Sequence, residues 1–72
     1  MSDRQVPSAV QAAVANYADV AAQNAQAVIN ELQNYCQTND VPTYRYCQDM
    51  QELTSATLAL GRLAQQYREK GL

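Results

Sequence analysis

Thr38-Asn39-Asp40-Val41-Pro42-Thr43 is the stretch on which the fold turns. Asn and Asp favour turns and caps because their short polar side chains bond to nearby backbone, and Pro suits the first turn of a helix but not its interior. Upstream, no Gly or Pro interrupts the chain back to Ser8; downstream of Pro42, none occurs before Gly61. Alanine, the best helix former, recurs through both flanks. The spacing therefore predicts a first helix over about 8–37, a turn over about 38–42 and a second helix over about 43–70. A connection of about five residues makes two such helices antiparallel neighbours.

The apolar residues repeat with a helical period. In the first helix Pro7-Ser8-Ala9-Val10-Gln11 has the form of a capping box, with Ser8 three residues before Gln11. The stripe that follows reads Val10, Val14, Tyr17, Ala21, Ala25, Val28, Leu32 and Tyr35/Cys36, in steps of three and four. In the second helix the stripe is Tyr46, Met50, Leu53, Thr57, Leu60, Ala64 and Tyr67, a spacing suited to bundle packing, with Ala56 and Leu63 widening one side. Gly71 is a natural stop. Folding the chain about residue 41 sets Leu32 against Met50, Ala25 against Thr57 and Tyr17 beside Ala64, so that large side chains face small ones.

The first helix carries more apolar surface than one neighbour needs. Val6, Ala13, Val20 and Ala27 recur on one flank, and Ala18, Ala22, Ile29 and Cys36 line the other. A face that broad implies more than one packing partner. A single core in a chain of 72 residues also rarely contributes more than ~3–5 kcal/mol. The expected fold class is all-α: residues 1–72 form one antiparallel two-helix hairpin, which dimerises into a four-helix bundle or docks on another protein.

Composition narrows the function classes. The formal net charge is −2, with five Lys and Arg residues, and Arg62, Arg68 and Lys70 cluster near the C-terminus. No basic stripe exists to neutralise phosphates, so nucleic acid is not an expected partner. Histidine is absent, and Cys36 and Cys47 alone cannot supply the four Cys or His ligands of a structural zinc site, so neither metal nor cofactor is expected. The polar segment Met1-Ser2-Asp3-Arg4-Gln5 leads into no long apolar run, so neither a signal peptide nor a membrane span is expected. The default compartment is the cytoplasm, unless a leaderless export route takes the chain. Asp49 and Glu52 read as ordinary early-helix acids. With no Gly-rich phosphate loop and no acid–base pair, the chain is not expected to be an enzyme.

A few residues depart from these patterns. Cys36 and Cys47 fall at the same level of the hairpin, and two readings stand. They form a disulfide, worth about 2–3 kcal/mol for so short a loop, or they are free small hydrophobes in a reducing cytosol. Tyr17, Tyr35, Tyr46 and Tyr67 occupy stripe positions and are expected to plug the bundle ends, whereas Tyr44 is expected to be exposed. Gly61, in mid-helix, signals close backbone approach. The face reading Ala12, Asn16, Asp19, Gln23, Gln26, Asn30, Asn34 and Gln37 is expected to be solvated. Leu58 projects away from the main stripe and, with Tyr44, Gln51 and Arg62, forms the expected partner-binding surface. These features point to a non-enzymatic protein–protein interaction module: a small homodimeric regulator, inhibitor or chaperone acting through a helical face. The alternative is a structural subunit or escort of a larger assembly such as a secretion apparatus; an RNA-binding hairpin dimer is the weakest reading.

Overall fold

Asp40 ends the first helix by turning left-handed, at φ 56° and ψ 42°. Asp enters this region more readily than most L-residues because its side chain can bond locally. The turn lets two successive amides, of Asp40 and Val41, donate to the carbonyl of Cys36, the latter at 2.9 Å. The Val41 bond is the 6→1 bond of a Schellman motif and the Asp40 bond the 5→1 bond of the simpler left-handed cap, so both converge on one carbonyl. Pro42 follows in extended geometry, and Arg45 N–H donates to its carbonyl at 3.3 Å to start one turn of 3-10 helix, Thr43–Tyr46.

The computed structural model describes residues 6–70. Helix α1 is Ser8–Asn39 and helix α2 is Cys47–Lys70. The first helix thus runs two residues past the expected end, and the second opens with a 3-10 turn. Gly71, the expected stop, lies outside the described residues. The capping box is not formed either. Pro7 occupies the cap, no side chain caps α1, and Gln11 instead donates through Nε2 to the Val6 carbonyl at 2.8 Å.

The helices fold back on one another as a hairpin. The Tyr35 and Tyr46 rings meet edge to face, 6.3 Å between centroids, just above the turn. Val28 and Leu32 share a groove with Leu53 and Ala56 at mid-length, and Arg68 pairs with Asp19 towards the open end. The second-helix stripe faces inward as expected: Ala64 is fully buried, and Tyr46, Met50, Leu53, Thr57, Leu60 and Tyr67 are half-buried. Thr57 fits there because its hydroxyl donates to the Leu53 carbonyl at 2.8 Å.

The first-helix stripe is displaced from its expected position. The buried residues are Gln11, Ala15, Ala18, Ile29 and Cys36, with Ala22, Ala25 and Leu32 half-buried in the same 4-3-4-3 progression. Val10, Tyr17, Val28 and Tyr35, expected inside, are exposed. The physical reason is closeness of approach. Alanine at 15, 18, 22 and 25 leaves room for a neighbouring helix, whereas a row of Val and Tyr would hold the axes apart. Tyr17 and Tyr35 are therefore not end plugs, while Tyr46 and Tyr67 are partly covered.

The resulting body is a rod of 57 × 16 × 13 Å. Its radius of gyration is 16.4 Å, against about 11 Å for a compact domain of this length. Its accessible surface is 5513 Å², against roughly 4,450 Å² for a compact monomer of the same mass. Among the described residues, no helix is long and apolar enough to cross a membrane.

Candidate protein interface

Two surfaces of the rod carry side chains that water does not favour. The first belongs to α1. A helix advances about 100° per residue, so Val10, Val14, Tyr17, Ala21, Asn24, Val28, Glu31 and Tyr35 form one stripe about 100° round from the buried alanines. Tyr17 is 75 % exposed and Val28 46 %. Ala56 joins this face from α2 through the groove it shares with Val28, and the exposed Leu63 lies one heptad further along the same side. Asp49 and Glu52 border the groove at its turn end. Sequence reasoning detected this breadth of apolar surface but placed the Val and Tyr stripe inside.

The second surface lies on the far side of α2. Tyr44 and Gln51 line an open groove of about 660 Å³ together with Thr43, Cys47, Met50, Thr54 and Ser55. Leu58 and Arg62 lie further along the helix, exposed, and do not line the groove. Of the four residues expected to bind a partner, the structure brings Tyr44 and Gln51 into one concavity and leaves all four accessible. Leu58, at 58 % exposed, is the large aliphatic on this side.

No family model, no curated protein and no solved structure matches the chain. The surfaces themselves must therefore carry the functional reading.

The cysteines occupy different environments. Cys36 is free and buried in the seam; Cys47 is free and exposed, and its sulfur accepts a weak hydrogen bond from Gln51 Nε2 at 3.6 Å. The bridge is not formed. Residue 47 lies about 100° round α2 from the inward stripe, so its thiol faces solvent. Gly61 corrects a second expectation: a Cβ built there would meet nothing within 4 Å, so no backbone approaches it closely. The amide face of α1 is solvated as expected, except that Asp19 is half-buried in its ion pair with Arg68. Gln11 is 5 % exposed, and its Oε1 has no hydrogen-bond partner among the described residues. No cluster of three or more metal-ligating side chains occurs among them.

Proposed function

We propose that this chain is a non-enzymatic protein-interaction module that self-associates through α1 and presents the outer face of α2 to another protein as a regulator, inhibitor or chaperone. The observation that supports it is the separation of apolar surface onto two sides of one thin rod. One side is the Val10–Tyr35 strip; the other is Leu58 with Tyr44. An apolar or aromatic residue held on a rigid helix is a good interface anchor, and Arg62 beside Leu58 is of a type enriched at such sites. Leu58→Glu should leave helicity and melting temperature within the ~0.5 kcal/mol typical of surface changes, yet weaken capture of the physiological partner at least tenfold. If the variant captures its partner with full affinity, the outer face of α2 is not the binding surface. If it loses its fold or its self-association instead, Leu58 belongs to the chain's own core.

Apolar residues on two sides of an elongated body also suit the second reading, a repeating subunit or escort of a larger assembly. Sedimentation separates the two: a discrete dimer over a hundredfold concentration range supports the module, and open-ended growth supports the subunit.

A further inference from the structure

We infer that the occupant of the α1 strip is a second copy of this chain laid antiparallel, α1 against α1, about a two-fold axis between Ala21 and Asn24. The inference rests on the proposed self-association and adds its geometry.

Spacing comes first. Val10, Val14, Tyr17, Ala21, Asn24, Val28, Glu31 and Tyr35 follow steps of 4-3-4-3-4-3-4 without a break. Written as heptads, Val10, Tyr17, Asn24 and Glu31 take one core position and Val14, Ala21, Val28 and Tyr35 the other. Antiparallel helices pair one kind of position with the other. A single register then runs through the whole strip: Val10 with Tyr35 of the second copy, Val14 with Glu31, Tyr17 with Val28, and Ala21 with Asn24. Each tyrosine meets a valine. Asn24 falls beside the axis, and a polar residue at a core position helps to specify register.

Charge selects the direction. Among the described residues the turn half holds Glu31, Asp40, Asp49 and Glu52 against Arg45, while the open half holds Asp19 and Glu69 against Arg62, Arg68 and Lys70. A parallel dimer would stack the two acidic ends and set Glu31 against Glu31. The antiparallel one separates them by most of the rod, and like charges held together are destabilising.

Area is sufficient. A strip from residue 10 to 35 is about 38 Å long at 1.5 Å per residue, and the rod is 16 Å across. That footprint covers about 600 Å² per copy, or about 1,200 Å² in total, the lower bound of a stable specific interface.

Cys47 supplies the test without redesign, because it is exposed while Cys36 is buried. A nitroxide placed on Cys47 of the full chain reports the distance between copies by pulsed electron resonance. The antiparallel dimer predicts about 45–50 Å, since residue 47 lies about 14 residues of helical rise from the axis in each copy. A distance under about 25 Å means a parallel dimer and overturns this geometry while leaving self-association standing. A strictly monomeric sample at 100 μM overturns both. Two variants assign the face: Tyr17→Glu should raise the dimer dissociation constant at least 100-fold, and Leu58→Glu should change it less than threefold. The reverse pattern places the interface on α2 and overturns the inference.

Discussion

Helix α1 leaves most of its larger apolar side chains outside the seam; α2 turns most of its own towards it. On α1 the buried residues are Gln11, Ala15, Ala18, Ile29 and Cys36, while Val10, Tyr17, Val20, Val28 and Tyr35 face outward. On α2 the bulk of Met50, Leu53 and Leu60 points into the seam. The contrast teaches that burial in a two-helix rod follows fit before hydrophobicity. One helix must supply knobs and the other room for them, and a chain rich in alanine can assign those roles unequally.

The comparison breaks first at Ile29, the one large aliphatic that α1 buries, at 6 % exposed. Ile29→Ala should destabilise the fold by about 3 kcal/mol, within the range for deleting a buried aliphatic, seen as a lower denaturant midpoint by circular dichroism. Tyr17→Ala, on the same helix but outside the seam, should cost far less when both are measured under conditions that favour the monomer. If Tyr17→Ala costs more, α1 has been assigned the wrong inner face.

The next effect tests the tight spot on α2. Ala64→Leu adds bulk where no space is left, since Ala64 has 0 % exposure, and should cost about 2 kcal/mol by overpacking. Thermal melts decide it; an unchanged midpoint would mean that the seam is slack at its open end.

Helix two was readable from its residues because its largest apolar side chains and its inward stripe coincide, from Tyr46 to Tyr67. Helix one carries two apolar stripes with the same period, and ranking them by side-chain size selects the outer one. Choosing between them requires knowing how near α2 approaches, which is a property of the pair and not of either helix. The turn was legible at Asp40 and Pro42, since both act on their own backbone. Leu58 and Tyr44 are recognisable as outward-facing because they lie away from the inward stripe of α2, whereas Ala56 and Leu63, expected to widen it, are exposed. The Tyr17 strip is not recognisable in that way, because ranking by size places it inside. Gly61 misled because close approach is only one cause of a helical glycine, and here open space surrounds it.

That openness sharpens the comparison in the stabilising direction. Gly61→Ala should add about 1 kcal/mol, the difference in helix propensity, and raise the melting temperature by about 4–8 °C for a domain of this size. A loss of stability would reveal a neighbour that only the associated state brings. Smallest of all should be Arg68→Ala. Its ion pair with Asp19 joins the helices at partly exposed positions, where such pairs contribute about 0.5 kcal/mol and weaken with salt. Urea titrations at low and high ionic strength should converge for this variant relative to the parent; a cost above 2 kcal/mol would show that charge, and not the alanine fit, holds the open end closed.

The two thiols turn the molecule into its own stopwatch. Cys47 meets reagent in the folded chain, and Cys36 meets it only when the seam parts. When reclosing outpaces chemical attack, the ratio of the two alkylation rates, each divided by the rate of the same thiol in the unfolded chain, equals the equilibrium constant for opening. Each tenfold separation between them then reads about 1.4 kcal/mol of opening free energy in the undenatured protein. Mass spectrometry of one sample over time would follow how binding, salt or dilution alters that opening, with the reference clock carried on the same chain.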